Sequence, residues 1–205
     1  MTDPTVFIVD DDEAMRNSLA WLIGSVGLAV ETHESAAAFL AAFRAGGPDE
    51  RPGCLVLDVR MPGMSGLELQ DALARCGSAL PVIMITGHAD VPMAVRALRA
   101  GAVDFIEKPF NDQMLLDRVH EAIARSAKAC AERARRARVR DLLDRLTPRE
   151  RQVAELVAAG KPNKVIAYEL DLSMKTVEVH RHNVMEKLEL ASVADLTRLL
   201  LEANA

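Results

Sequence analysis

Four apolar runs in this chain break off at residues able to do chemistry. Val6 to Val9 leads into Asp10, Asp11 and Asp12, Cys54 to Leu57 into Asp58, Val82 to Ile85 into Thr86, and Val103 to Ile106 is followed by Lys108 and Pro109. Singly, each has an ordinary explanation, because Asp caps helices, Thr caps turns and Lys is usually solvated. Together they describe a site. Carboxylates a few ångströms apart repel, and cations must hold them ionised. Lys108 supplies one charge and a divalent ion the rest. Mg2+ suits the task, since it takes hard oxygen ligands in an octahedron, keeps waters and commonly works with phosphate. A carboxylate placed like Asp58 can attack phosphorus to give an acyl phosphate, with metal and lysine balancing the charge and a hydroxyl donating to a phosphoryl oxygen.

A parallel sheet would bring these groups together, because all its strands deliver their carboxyl ends to one edge. The sequence reads that way. Short β-rich runs at 6–9, 28–32, 54–57, 82–85 and 103–106 alternate with helical patterns at 13–25, 35–45, 66–75 and 91–100, which calls for helices on both faces of the sheet. Gly27, Gly46, Gly77 and Gly101 stand where helices should stop, Ser35 and Asp90 where two should start. Beyond Asp112 the pattern is wholly helical. A long helix runs from there into Glu132-Arg133-Ala134-Arg135-Arg136-Ala137-Arg138, with a seam Leu116, Ile123, Cys130, Ala137 too weak for a coiled coil. Four helical segments follow: one capped by Thr147-Pro148-Arg149-Glu150 and closed by Gly160, then 163–170, then 173–188, then one opened by Ser192.

Half of the 205 residues are apolar, enough for two small cores. Charge divides along the chain, with a net −8 over residues 1–125, +5 over 126–140 and −2 over 141–205. The basic stretch is read either as the solvated face of a connecting helix or as a surface for an anionic partner. Cys54, Cys76 and Cys130 include no Cys-x-x-Cys pair and leave an odd thiol, which points to a reducing cytoplasm and away from disulfides or zinc. The start shows no leader pattern, and no apolar run approaches the roughly 18 residues of a membrane helix, so no membrane association is expected.

Val9-Asp10-Asp11, Leu57-Asp58-Val59-Arg60-Met61-Pro62-Gly63, Ile85-Thr86-Gly87 and Glu107-Lys108-Pro109-Phe110 resemble the receiver domain of bacterial two-component response regulators. The resemblance covers about residues 4–125. It implies a five-stranded, doubly wound, flavodoxin-like α/β domain with Asp58 as phosphoacceptor. It further implies Asp10, Asp11, Asp58 and the Arg60 carbonyl around Mg2+, Thr86 and Lys108 on the phosphate, and a cis Lys108-Pro109 bond. Phe105 matches the family's switch aromatic, and is read equally as a plain core residue. Asp12 is an additional acid.

In the second half, 163–170, a tight Asp171-Leu172 turn and the helix from Ser173 form a helix-turn-helix pattern. Val177, Val184 and Leu188 share one face of its second helix, with Lys175, Glu178, Val179, His182, Asn183 and Glu186 about half a turn away. Such a helix can enter a major groove, with Lys175 on phosphate, His182 or Asn183 near base edges or backbone, and Val179 against a thymine methyl. Leu146-Thr147-Pro148-Arg149-Glu150, Asn163-Lys164-Val165-Ile166-Ala167, Thr176-Val177-Glu178-Val179-His180-Arg181 and Lys187-Leu188 resemble the four-helix LuxR-type DNA-binding domain, and the whole chain resembles the FixJ-like subfamily. This implies a receiver at 1–125, a helical basic linker at 126–143 and an all-α output domain at 144–205. It also implies control by a sensor histidine kinase, homodimerisation on phosphorylation, promoter DNA bound through Lys175, Thr176, Val179, Arg181, His182, Asn183 and Lys187, and activation through RNA polymerase. Many LuxR-type domains carry a basic residue where this chain has Glu178. Arg181 lies at the flank of the apolar face, where it can pack its stem as well as reach phosphate.

Two other readings stand beside this one. A Mg2+-dependent phosphohydrolase also forms an aspartyl phosphate, but it wants a second acid two residues after the nucleophile, where this chain has Arg60. A receiver with an output domain for protein or RNA is the other, and the match at Thr176 to Arg181 argues against it.

Overall fold

The computed structural model describes residues 3–45 and 51–203. They form two compact units divided between Ala131 and Glu132, inside the stretch assigned above to the linker. The first holds β1 (Thr5–Val9), α1 (Glu13–Ser25), β2 (Ala29–His33), α2 (Ala36–Arg44), β3 (Gly53–Asp58), α3 (Gly66–Arg75), β4 (Val82–Thr86), α4 (Val91–Arg99) and β5 (Asp104–Glu107). Helix α5 (Asp112–Leu143) begins in it, and α6 (Pro148–Ala158), α7 (Asn163–Glu169), α8 (Met174–Lys187) and α9 (Val193–Ala203) belong to the second.

The five strands are parallel in the order β2-β1-β3-β4-β5. Alternation within the strands builds two cores. Phe7, Val9, Leu55, Leu57 and Met84 pack with Phe39, Leu69, Leu73 and Ala97, whereas Val6, Ile8, Val56, Ile83 and Ile85 pack with Leu19, Ile23, Leu115 and Val119. A sheet covered on both faces buries its strands at every position, so β1, β3 and β4 are near-continuous apolar runs with polar residues only at their ends. Register then sets the site. Val9 lies level with Leu57 and Asp58 with Ile85, so the residue after Val9 arrives beside Asp58.

Several expected boundaries move by a residue. Asp58 is the last residue of β3 rather than the first beyond it, because the ladder continues through a Val59 N–H to Ile85 C=O bond of 3.0 Å. β2 and β5 each start one residue later than expected. Caps fall where read at Ser35, Asp90, Thr147 and Ser173. Gly27, Gly77 and Gly101 follow helix ends with φ of 80°, 72° and 95°, whereas Gly46 lies outside the described residues.

The second unit closes over Val139, Leu143, Leu146, Val153, Val157, Ile166, Val177, Val184, Leu188 and Leu196. Asp171, with φ of 53°, makes the turn between α7 and α8, and the Leu172 N–H returns to the Ala167 carbonyl at 2.9 Å. Among the described residues no helix is long and apolar enough to cross a membrane.

Candidate functional site

At the carboxyl edge of the sheet the Lys108 ammonium donates to Asp10 Oδ2 and Asp58 Oδ1, each at 2.8 Å. The two acids are 1% and 6% exposed. Their remaining oxygens are held by local N–H groups, Asp10 Oδ1 by Asp12 at 2.9 Å and Asp58 Oδ2 by Arg60 at 2.7 Å. The Lys108-Pro109 bond is cis. Burial pushes the Asp58 carboxyl above its usual range and the Asp10 charge adds to this, against the opposing pull of Lys108 and the Arg60 N–H. Burial also draws Lys108 down, but its bonds to Asp10 and Asp58 outweigh that and hold the ammonium above its usual range.

Not every expected member joins. Asp11 is solvent-exposed, and among the described residues no group of three or more His, Cys, Asp or Glu side chains is gathered to hold a metal. Asp12 is the N-cap of α1, its carboxylate accepting from the Ala14 and Met15 N–H groups at 2.8 and 3.3 Å. Thr86 is fully buried, and its hydroxyl meets the backbone of His88, at 3.3 Å from the N–H and 3.4 Å from the carbonyl. Phe105 is partly buried against the core of α2, α3 and α4. The donor set nevertheless fits Mg2+. Two nearly buried carboxylates share a single ammonium, which leaves negative charge over, and a third acid stands free in solvent beside them. Mg2+ needs only one or two carboxylates and keeps water in its remaining positions.

One contributor escaped the sequence reading. A Cβ at Gly66 would lie 2.2 Å from the Asp58 carbonyl oxygen, so only glycine lets α3 start against the strand end that carries Asp58. The Gly66 N–H bonds the Val59 carbonyl at 3.0 Å in the same approach. Ser65-Gly66 just after the Met61-Pro62-Gly63 turn is the visible signal, although contact with backbone cannot be read from it.

The second unit carries the candidate nucleic-acid surface on α8. Lys175, Glu178, Val179 and His182 are exposed, Val179 by 52%, and Thr176 and Asn183 are partly so. Two expected DNA contacts, Arg181 and Lys187, have partners within the domain. Arg181 donates to Asn163 Oδ1 at 2.7 Å, fixing α8 to the start of α7, and Lys187 donates to Glu150 Oε2 at 2.7 Å. Glu150 is the buried acid of the Thr147 capping box, and an unpaired charge there would be costly, which explains why Lys187 is held to it. Thr176 meets the Ser173 hydroxyl at 2.7 Å. The lysines and arginines of α7 and α8 left without a partner among the described residues are Lys164 and Lys175, both exposed. Lys164 was not among the sequence candidates.

Residues 6–120 match the family of response regulator receiver domains, and residues 144–200 match the luxR family of bacterial regulatory proteins. The transcriptional regulatory protein FixJ of Rhizobium meliloti (strain 1021) is 51% identical over 98% of this chain and 97% of its own. The response regulator protein TodT of Pseudomonas putida (strain ATCC 700007 / DSM 6899 / JCM 31910 / BCRC 17059 / LMG 24140 / F1) is 43% identical over 95% of this chain and 84% of its own. Among solved structures, the response regulator StyR is similar with a TM-score of 0.88 at 44% identity, over 98% of this chain and 100% of that one. Full-length FixJ from B. japonicum is similar with a TM-score of 0.58 at 42% identity, over 100% of this chain and 98% of that one.

Proposed function

Since the chain belongs to the two-component response regulators, as a FixJ-like transcriptional regulator and not an enzyme, we propose that phosphorylation of Asp58 by a sensor histidine kinase switches it into a DNA-binding dimer. The observation that carries this reading is the Lys108 ammonium at 2.8 Å from both Asp10 and Asp58. An Asp58 oxygen attacks the phosphorus of a phosphohistidine, the P–N bond breaks, and the leaving imidazole nitrogen keeps the electron pair and regains a proton. Lys108, already shared between the two acids, moves its charge toward the new phosphoryl oxygens. Asp10, Asp11, Asp58 and the Arg60 carbonyl are the groups that would hold Mg2+, and the ion, when bound, would supply further positive charge to the phosphoryl oxygens.

Thr86 then exchanges its His88 backbone contact for a phosphoryl oxygen, and Phe105 turns inward behind it. The surface of α4 and its neighbours changes and two copies associate. A shift of about 3 kcal/mol suffices to reverse a two-state preference of this kind, within reach of a dianion meeting an ammonium and a divalent ion. Paired α8 helices bind double-stranded promoter DNA, and RNA polymerase is the downstream partner, in the cytoplasm. Lys175 meets phosphate, Val179, His182 and Asn183 face the groove, and Thr176 lies beside them. Lys164 joins Lys175 in place of Arg181 and Lys187.

The test is a mobility-shift assay with genomic duplex fragments, with and without acetyl phosphate and Mg2+. Phosphodonor-dependent retardation by the natural chain, absent in Asp58→Asn, is the expected result. Retardation indifferent to the donor, or steady turnover of small phosphate esters, would overturn the reading.

A further inference from the structure

Helix α8 carries two acids, and they are placed differently. Glu186 stands 3.8 Å from His182, its neighbour one turn back on the helix. Glu178 is exposed and has no hydrogen bond or ion pair among the described residues. It sits in the middle of the exposed stripe, one turn after Lys175 and one turn before His182. A free carboxylate at the centre of a DNA-facing helix is unfavourable toward phosphate, and the local surplus of cations that would offset it is missing, because Arg181 and Lys187 are engaged inside the domain.

We infer that Glu178 reads a cytosine in the major groove and so determines sequence preference; this rests on the DNA-binding reading above. The chemistry selects the base. An ionised carboxylate only accepts hydrogen bonds. Guanine offers two acceptors at its groove edge and thymine an acceptor and a methyl, so both leave the carboxylate unpaired. Adenine offers a donor, but with the N7 acceptor beside it. Cytosine presents its N4 amino group with no acceptor of its own, flanked on one side only by the paired guanine O6, where adenine N6 is flanked on both sides by N7 and thymine O4. It is the base against which Glu178 loses least on leaving water. Val179, the next residue and 52% exposed, offers the apolar contact for an adjoining thymine methyl.

The test uses the full chain with phosphodonor and Mg2+, selecting from a random duplex library, for the natural sequence, Glu178→Ala and Glu178→Gln. All three fold alike, since the side chain is exposed and has no hydrogen bond or ion pair among the described residues. The natural chain enriches cytosine at one position of each half-site. Glu178→Ala loses about tenfold of that preference at that position alone, with its salt dependence unchanged. Glu178→Gln moves the preference toward adenine, whose N6 and N7 pair with an amide. If Glu178→Ala instead tightens binding to every duplex by one factor and leaves the preference intact, Glu178 is only a charge brake and the proposal fails alone. A natural chain that enriches no duplex removes the DNA-binding reading, and this proposal with it.

Discussion

Lys187 reaches back across 37 positions to place its ammonium 2.7 Å from Glu150 Oε2, joining the last turn of α8 to the first turn of α6. The same oxygen accepts from the Thr147 N–H at 2.8 Å and hydroxyl at 3.0 Å, and Glu150 is 3% exposed. Lys187→Met therefore strands a buried charge. Urea unfolding should show the second unit weakened by about 2 kcal/mol, whereas a lysine that only touched phosphate would leave its stability unchanged.

Acid should find the same contact. The Lys187 bond holds Glu150 down at about 2, against the upward pull of burial and with help from Thr147. A depressed carboxylate contributes stability that is fully present above its unfolded value of 4.5 and is lost as pH falls through the folded value near 2. Unfolding midpoints of the second unit should fall across that window. In Lys187→Met the same series should be flatter.

Asp58 has the opposite sign. Its folded pKa is raised above 3.8, so the associated stability is present below that pH and lost as pH rises through the folded value. In magnesium-free buffer at neutral pH, Asp58→Asn should melt at a higher temperature than the natural chain. Phosphate-affinity gels should show it unlabelled by acetyl phosphate, and acid-labile label in this variant would remove the site assignment.

Two glycine substitutions should diverge. Gly66→Ala places a methyl 2.2 Å from the Asp58 carbonyl oxygen, so α3 or the end of β3 must shift, at a cost of about 2 kcal/mol and with slower labelling. Gly24→Ala, in α1 with nothing within 4 Å of the new carbon, should stabilise the receiver by about 0.5 kcal/mol. Thermal melts and labelling rates of both proteins decide it.

Thr86→Ala removes a hydroxyl that touches the His88 backbone and neither acid. The variant should still take up label on Asp58 while its DNA affinity no longer rises with labelling, as read by fluorescence anisotropy.

The sheet and its acid edge were legible because their signals are local: apolar runs of strand length, each closed by a polar residue, with glycines and capping residues between helical patterns. What escaped depends on distance along the chain. A helical wheel puts Arg181 at the flank of the apolar face, where packing and phosphate contact are both open, and says nothing of what Lys187 meets; their partners lie 18 and 37 positions away, beyond the reach of any local pattern. Gly66 is similar, since its need for hydrogen comes from a strand end eight residues earlier folding back on the helix start. The phosphate role of Thr86 comes from the resemblance alone, and the contact its hydroxyl makes with the His88 backbone carries no signal in the sequence.

Asp10, Asp11 and Asp12 look interchangeable on paper, yet one is bonded to Lys108, one faces solvent and one holds the first turn of α1. Phase along the backbone, rather than the amount of acid, distinguishes them. Deleting any one of the three leaves the same Val-Asp-Asp-Glu sequence, so the partner of the lysine, the solvent-facing acid and the start of the helix would be left to two carboxylates.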